Sequence, residues 1–461
     1  MANVAIIGAD PAGLTAAYHL AKHGVPVKVL EADEWQVGGI SRTINYKGFR
    51  FDTGGHRFSS QSDRVAGLWK EILGDEMIEE PRSSRILFGG RLYSYPLKPV
   101  EVLMNLGLAE SGRCGLSYLK ARAFPEKDPR SLEDWVTNQF GSRLFRILFK
   151  TYTEKVWGMR CKEISADWAV RDGVHCPRLG PGMMWERCAE RVRRMGGEIL
   201  MGHEVSSCSW NSEVRQWRVE CRTAGGESKV VQASHIVSSA PLKEFVASLR
   251  PVVSGRTLYA AQSLRYRDIL TVGLILPESG RFAANWIDVH EPSLLVGRIR
   301  NYKSWSLGMA PDPAYTCYGL EYFCNRGPGL WSFSDEDLIA LAKKELEQAG
   351  LARAADVVDG CVIRQPKAYP VYHQGYAAHV ATIREELQEN YPTLHLVGRN
   401  GMHRFLNQDQ AIKTALLSAD DILTSCGLHN VGDVNQDAGY PEPGPECDQQ
   451  EVCVGQLVPG K

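Results

Sequence analysis

The sequence predicts an α/β fold, in which one parallel sheet is interrupted by helical and antiparallel insertions. Three observations support this fold class. A strand–turn–helix unit opens the chain, a second strand–loop–helix unit lies at 394–424, and long helical and alternating segments separate the two. Both units place a glycine-rich turn after a short apolar strand. Ligands of such sheets bind outside the carboxyl ends of the strands, so we expect the site at these turns.

The first unit has the spacing of a dinucleotide-binding turn. Residues 4–7 are apolar and predict a buried strand; Gly8 permits the tight turn, and Gly13 lets the next helix pack closely on the strand. After a helix predicted at 11–23, a second strand ends at Glu31. A carboxylate at that position accepts a hydrogen bond from an adenosine ribose.

Asp10 stands where the middle glycine of such a turn is usual. A cofactor diphosphate normally lies on the helix N-terminus, held by backbone N–H groups and the helix dipole. Asp10 followed by Pro11 is also a favoured N-cap pair, so capping and a direct functional role both remain open. In either case we expect cofactor affinity to be lower than with glycine.

Between these units the predicted structure changes several times. Residues 97–193 show mostly helical periodicity, 198–240 alternate as hairpins, and 256–325 contain longer extended segments. We expect one nucleotide-binding domain, formed by residues 1–96, 194–245 and 386–426. Two substrate domains interrupt it: a mainly helical one at 97–193 and an antiparallel-sheet one at 246–385. Residues 427–461 are predicted to form a disordered tail.

Composition excludes several classes of protein. The 461 residues carry a net charge of −1, which gives no reason to expect a nucleic acid or an anionic membrane as partner. No apolar stretch is long enough to span a bilayer, and the N-terminus leaves no room for a signal peptide. Twelve scattered cysteines without a Cys-x-x-Cys pair favour reduced thiols, no metal site and a cytoplasmic location.

Six further motifs follow in a characteristic order. They are Gly55-His56-Arg57-Phe58, Tyr152 to Trp157, Arg298 to Tyr302, Tyr369-Pro370-Val371, Gly398-Arg399-Asn400 and Asn407 to Ile412. In this order the chain resembles the FAD-dependent amine-oxidase-like superfamily, and within it most closely the UDP-galactopyranose mutase-like group. The resemblance covers residues 4 to about 424 and implies a Rossmann-like FAD-binding domain of the GR2 flavoprotein type.

The resemblance also implies which residues contact FAD. We expect these contacts from Gly8, Asp10, Ala12, Gly13, Glu31, Gly38, Gly39, Ser41, Arg42, Gly55, His56, Val205, Gly398, Arg399, Asn407, Gln408, Asp409, Gln410 and Ala411. The backbone of Val205 would bind the adenine. The start of the last helix would face the flavin pyrimidine, where a helix N-terminus stabilises negative charge on reduced flavin.

Four residues are candidates for the chemistry. His56 would lie against the flavin, although a buried histidine bonded to carbonyl groups is the alternative. Arg298 shares a strand face with Arg300 and would bind a diphosphate bidentately; two solvated arginines are the alternative. Tyr369 would touch the same diphosphate by resemblance. Lys367 would hold a water near flavin N5, although exposed lysines are common.

These residues leave three functions open. The first is a flavin oxidoreductase that takes a hydride from a small organic or sugar-derived substrate. The second is a non-redox mutase acting on a nucleotide sugar, for which the segment between Glu163 and Pro177 is too short to hold the mutases' second arginine, unless Arg171 or Arg178 replaces it. The third, motivated by Asp10, is a flavin-poor relative that binds a ligand or partner.

Overall fold

The computed structural model describes residues 2–54, 58, 60, 62–78, 83–95, 97–126, 129, 131–164, 176–278 and 284–424. The described strands are, in chain order, β1 (Val4–Ile7), β2 (Val27–Leu30), β3 (Thr43–Tyr46), β4 (Phe49–Asp52), β5 (Met77–Ile78), β6 (Ser84–Phe88), β7 (Arg91–Tyr95), β8 (Cys176–Pro177), β9 (Glu198–Leu200), β10 (His203–Asn211), β11 (Gln216–Thr223), β12 (Ser228–Ala233), β13 (His235–Ser238), β14 (Leu249–Arg250), β15 (Tyr266–Pro277), β16 (Trp286–Val289), β17 (Arg298–Asn301), β18 (Tyr315–Cys324), β19 (Asp359–Pro370) and β20 (Leu394–Leu396).

The described helices surround these strands. They are α1 (Pro11–Lys22), α2 (Asp63–Leu73), α3 (Pro99–Leu106), α4 (Leu108–Ala123), α5 (Leu132–Leu144), α6 (Lys150–Trp157), α7 (Gly182–Arg194), α8 (Leu242–Ser248), α9 (Gly255–Ser263), α10 (Asp335–Gln348), α11 (Tyr376–Asn390), α12 (Gly398–Gly401) and α13 (Gln408–Thr424). A π-helical turn, Phe145–Phe149, joins α5 to α6.

A five-stranded parallel sheet in the order β20-β13-β1-β2-β9 brings the two ends of the chain together. Ile6 at its centre pairs with Val29 on one side and Val237 on the other. Side chains of α1, α7 and α13 pack on one face and form a continuous apolar core. The predicted interruption of one parallel sheet is therefore confirmed, because β1 and β20 lie only one strand apart.

Two further large sheets are each antiparallel except for one strand pair, β10 with β14 and β16 with β6. A four-stranded sheet has the order β12-β11-β10-β14, and a seven-stranded sheet has the order β19-β15-β18-β17-β16-β6-β7. In the larger sheet, β15 is buried along almost its whole length because α10 and the helical segment cover its two faces. This sheet and the helical segment form one wall of the candidate site.

Arg267 fastens the helical segment to the large sheet. Its guanidinium donates to the backbone carbonyls of Lys155 and Val156 at the end of α6, and to that of Phe323 in β18. A Cβ atom at Gly158 would lie 2.6 Å from this guanidinium, so only glycine fits there. This contact fixes Trp157 against the sheet.

The predicted fold class is confirmed, and the first helix ends one residue earlier than predicted, at Lys22. The predicted last helix is α13. Gly55, His56 and the tail at 427–461 lie outside the described residues. Within the described ranges, no helix combines the length and apolar character needed to cross a bilayer. In that same part of the chain, no group of three or more His, Cys, Asp or Glu side chains could hold a metal ion.

Candidate functional site

The first turn is built by two glycines that no other residue could replace. Gly8 has a φ of +100°, and a Cβ atom on Gly13 would lie 1.9 Å from the carbonyl oxygen of Gly8. The N–H of Gly8 donates to Leu30 at 2.9 Å, which ties the turn to the end of β2. The N-terminus of α1 therefore points at the carboxyl edge of the sheet, as predicted.

Glu31 lies beside this turn with its carboxylate almost fully engaged. One oxygen accepts the N–H of Ala9 at 2.6 Å, and the other accepts the N–H of Asp33 at 2.9 Å. Burial raises the pKa of Glu31, and these two hydrogen bonds oppose the rise. The N–H of His203 donates to the carbonyl of Glu31, which brings the start of β10, with Val205, next to this end of the site.

Asp10 occupies the junction of three glycine-containing loops. Its Oδ1 accepts the N–H of Gly13 at 2.9 Å, so it is the N-cap of α1. A Cβ atom built on Gly39 would lie 2.9 Å from the Cβ of Asp10, and one on Gly398 would lie 3.6 Å from its Oδ2. Burial raises the pKa of Asp10, and hydrogen bonds from Gly13 and the Ser239 hydroxyl oppose the rise. The capping role is thus present, at the N–H group that an anion would otherwise use.

The second glycine loop lies against the first turn. Gly38 and Gly39 have φ values of +102° and +54°, and the N–H of Gly38 donates to Ala9 at 2.7 Å. Ser41 is buried behind them. Arg42 forms an ion pair with Asp33, and its Nε is buried without an acceptor among the described residues.

The closing loop at 398–407 touches both the first turn and the large sheet. A Cβ atom on Gly398 would lie 2.8 Å from that of Ala12. Arg399 is half-buried and donates from Nε and Nη2 to the carbonyl of Leu406 at 3.0 and 2.8 Å, and from Nη1 to that of Ala368 at 3.4 Å. Arg399 therefore holds the loop in place with its donors. It stands within 5.0 Å of the ring centres of Tyr369 and Phe405.

The start of α13 presents a buried amide with no partner in the described structure. The N–H of Asn407 donates to Oε1 of Gln410 at 2.8 Å, which caps the helix. The Oε1 and Nε2 atoms of Gln408 are both buried and unbonded. Asp409 and Ala411 are also buried. A buried amide without a partner is costly, so this position is suited to a ligand that both donates and accepts hydrogen bonds.

Aromatic rings line the wall next to this loop. Tyr369 is stacked on Phe405 with ring centres 5.5 Å apart and on Phe323 at 6.4 Å. Trp157 completes the group, 6.4 Å from Tyr369. Tyr369, predicted from sequence, thus lies where the helical segment, the large sheet and the closing loop meet.

Arg298 lies in a buried charge network, and each of its three nitrogens is bonded. Nη1 donates to Glu321 at 2.8 Å, Nη2 to the Tyr152 hydroxyl at 3.1 Å, and Nε to Asp288 at 3.3 Å. Tyr152 donates in turn to Asp288 at 2.7 Å. Arg300 pairs with the second oxygen of Glu321. Neither arginine is therefore a solvated surface residue.

Asp52 is the third carboxylate of this network. It lies 3.8 Å from Arg300 and accepts the Thr43 hydroxyl at 2.8 Å. Burial raises the pKa of Asp52 to about 6, against the attraction of Arg300. Three carboxylates thus face two guanidinium groups, and the network holds no surplus positive charge.

Lys367 points away from the closing loop. It has a φ of +51°, its N–H donates to Asp268 at 2.7 Å, and its ammonium pairs with Glu244 at 2.6 Å. It lines a cavity of about 390 Å³ that also contacts Trp157. This position does not by itself support the predicted role beside a flavin.

Sequence reasoning missed Asp288 and Glu321. Cross-strand register brings them to Arg298, because Asp288 pairs with Arg298 and Arg298 with Glu321 across β16, β17 and β18. One signal was present: Glu321 interrupts an otherwise apolar and aromatic strand, and a buried carboxylate requires a partner. Arg178, one of the two candidates for a second diphosphate-binding arginine, pairs with Glu76 at the surface. Arg171 lies outside the described residues.

Two curated proteins are similar to this chain in sequence. The chain is 21% identical over 445 residues to the probable UDP-galactopyranose mutase of Klebsiella pneumoniae, covering 92% of this chain and 95% of that protein. It is 30% identical over 114 residues to protoporphyrinogen oxidase 2 of Arabidopsis thaliana, or 24% of this chain and 22% of that protein.

Solved structures share the fold at low identity. A reduced UDP-galactopyranose mutase matches with a TM-score of 0.81 at 20% identity, over 94% of this chain and 99% of that one. A putrescine oxidase variant matches with a TM-score of 0.64 at 16% identity, over 92% and 99%. The family model for flavin-containing amine oxidoreductases matches residues 11–423. The chain therefore belongs to the flavin-containing amine oxidoreductase family.

Proposed function

We propose that this protein binds FAD and oxidises a small organic substrate. The adenosine would lie by Glu31 and Val205, the diphosphate between the first turn and Arg42, and the flavin near Arg399 and the start of α13. When bound, the flavin would supply a two-electron acceptor for a hydride from the substrate. The family membership supports a flavin cofactor in general, and FAD in particular is our proposal.

The described residues suit the adenosine end and the flavin end of FAD, whereas Asp10 disfavours its diphosphate. The glycine turn admits a backbone-bound ligand, and the unpartnered amide of Gln408 suits the edge of a flavin ring. The carboxylate of Asp10 instead takes the Gly13 N–H and adds a negative charge beside the diphosphate position. We infer that FAD binds but dissociates more readily than from a glycine turn.

The bonding of Arg298 supports the oxidoreductase over the mutase. A diphosphate needs an arginine with free donors and surplus positive charge. Here Glu321, Asp288 and Tyr152 engage three of the five N–H donors of Arg298, and the two carboxylates balance its positive charge. The substrate we propose is therefore one without a diphosphate group. It would be enclosed by the aromatic wall around Tyr369 and by the helical segment.

Bleaching of flavin absorbance tests this function directly. Protein purified with its flavin is mixed anaerobically with panels of amines, amino acids and aminosugars, and absorbance near 450 nm is followed. Rapid bleaching by at least one organic substrate that lacks phosphate is expected. A flavin that stays oxidised with every such substrate would count against the proposal.

The mutase function remains the second candidate because of the segment from Tyr152 to Trp157 and the 0.81 TM-score. It predicts that chemically reduced protein interconverts the pyranose and furanose forms of a UDP- or dTDP-sugar. The third candidate, a flavin-poor relative with a binding role, predicts a colourless preparation that FAD titration does not saturate. A yellow preparation with one flavin per chain rejects it.

We also propose a cytoplasmic location. The support is chemical: the cysteines of the described part of the chain are free thiols, most of them buried. The reduced state of all thiols after purification without reductant would be measured by thiol titration.

A further inference from the structure

The outward face of α4 carries an apolar strip that is exposed among the described residues. Each helical residue is rotated by about 100° around the helix axis from the one before it, so the residues of this strip fall within an arc of about 120°. Leu108, Leu116 and Leu119 are 93%, 71% and 64% exposed. The remaining members of this α4 strip are small and also exposed: Ala109, Gly112, Gly115 and Ala123. Monomeric proteins rarely expose a continuous apolar strip of this kind without a function.

Further apolar side chains extend the strip. Val100 and Met104 in α3, one helical turn apart, are mostly exposed, and so is Phe124 just after α4. The α4 helix has 16 residues and is about 24 Å long. On the inward face Ser111 and Ala121 are buried, and the Ser117 hydroxyl meets that of Ser142 in α5 at 3.2 Å.

Cations border the α4 strip on both of its long edges. Arg113 and Lys120 lie on one edge and Arg122 on the other, and all three are exposed. The acid of this helix, Glu110, accepts a hydrogen bond from Nη2 of Arg143 at 3.0 Å and one from Nη1 of Arg113 at 3.4 Å. It therefore offsets the charge of Arg113, while Lys120 and Arg122 stand at the two edges of the strip. The strip therefore combines apolar and positive character, although the whole chain has a net charge of −1.

We propose that the α4 strip docks this protein on an anionic lipid surface. The leucines would enter the boundary between headgroups and acyl chains, while the flanking cations reach the lipid phosphates. The positive charge along the strip favours an anionic lipid surface over a second copy of the chain, because two-fold pairing of the strip would bring like cations together. The proposal requires peripheral contact along the helix axis and no membrane-spanning segment.

Vesicle co-sedimentation of the full-length protein tests the proposal. Vesicles of phosphatidylcholine with about 30% phosphatidylserine are compared with pure phosphatidylcholine at 0.1 M salt. We expect binding to the anionic vesicles only. The double variant Leu116→Ser, Leu119→Ser should reduce that binding at least tenfold, and Lys120→Gln about fivefold.

The matched control is Leu307→Ser, which changes a leucine that is 75% exposed on a different segment. It should bind vesicles like the unchanged protein. Thermal unfolding verifies that each variant is folded; α4-strip variants should keep the parental midpoint because their side chains are exposed. Equal binding to neutral vesicles, no binding to anionic ones, or a dimer that the double variant abolishes would each overturn the proposal.

Discussion

Replacing Asp10 should tighten cofactor binding, and two substitutions separate the effect of its charge from the effect of its side chain. Asp10→Asn keeps an oxygen that can accept the Gly13 N–H and removes the charge. Asp10→Gly removes both the charge and the side chain. The backbone of Asp10 is extended, with φ −81° and ψ 179°, so neither substitution requires a new conformation. Loss of the cap in the glycine variant costs only a few tenths of a kcal/mol.

The size of the effect follows from the position of the carboxylate. Oδ1 lies 2.9 Å from the Gly13 nitrogen, the atom that would also face a phosphate oxygen. Two such anions would stand about 5 Å apart, which costs about 3 kcal/mol per charge pair at an effective dielectric constant of 20. Nearby arginines offset part of this cost. We therefore expect a gain of about 1–3 kcal/mol, or a dissociation constant about 5–150 times lower.

The assay is titration of flavin-free protein with FAD, followed by quenching of tryptophan fluorescence. Trp185 is a suitable reporter because a Cβ atom on Gly38 would lie 3.5 Å from the Trp185 Cβ. Glu190→Gln is the matched control, since it removes one exposed negative charge elsewhere on α7. It should leave the FAD dissociation constant unchanged.

The pH dependence provides an independent check. Burial raises the pKa of Asp10, so lowering the pH protonates it before an ordinary aspartate. The FAD dissociation constant of the unchanged protein should therefore fall with falling pH and approach that of Asp10→Asn. Glu31 is present in both proteins; burial raises its pKa and the Asp10 carboxylate raises it further, so the asparagine variant also lowers the pKa of Glu31. Dissociation constants within twofold of each other at pH 7–8 would refute the reasoning.

Three further predictions concern the buried charges. Glu321→Gln should lower the free energy of unfolding by about 3–5 kcal/mol, because two buried arginines lose their shared carboxylate; a loss below 1 kcal/mol in urea titration would contradict this. Lys155→Met should cost about 2–3 kcal/mol in the same measurement, since its ammonium donates to three backbone carbonyls at 3.0–3.1 Å. The pKa of Asp52 is raised to about 6 from 3.8, so its stabilising contribution is present at acid pH and is lost as pH rises through 6. The melting temperature of the unchanged protein relative to Asp52→Asn should therefore fall between about pH 4 and pH 6 and level off above that range; a constant difference from pH 4 to 6 would show that Asp52 stays ionised.

Local sequence signals predicted the parts of the site that depend on local structure. The turn at Gly8, the cap at Asp10 and the carboxylate at Glu31 all lie within one strand–helix–strand unit, where spacing fixes geometry. The fold class followed for the same reason, since two short units with glycine turns determine the parallel sheet. The position of the last helix beside this sheet could be inferred because its motif follows a strand of the sheet.

Contacts between distant segments could not be predicted in this way. Ser239 reaches Asp10 from the end of β13, more than 220 residues along the chain. Arg298 was predicted to bind a diphosphate, but its partners in the folded chain depend on the register of three strands joined by long connections. No periodicity in the sequence encodes that register, so the carboxylates that neutralise Arg298 became visible only in the folded chain.

Two unusual features of the site, at Asp10 and at Arg298, both make the electrostatic environment less favourable for a phosphate group. At the first turn a carboxylate takes the N–H group that would bind a phosphate. In the large sheet, two carboxylates and a tyrosine neutralise and occupy Arg298. A framework that served a diphosphate substrate would have reason to keep that arginine free, whereas a substrate without phosphate needs no such donor. The diphosphate of the proposed FAD would then be the phosphate group that the site binds, and Asp10 would weaken that binding. The same bias against phosphate would account for both the expected exchange of FAD and the phosphate-free substrate that we propose.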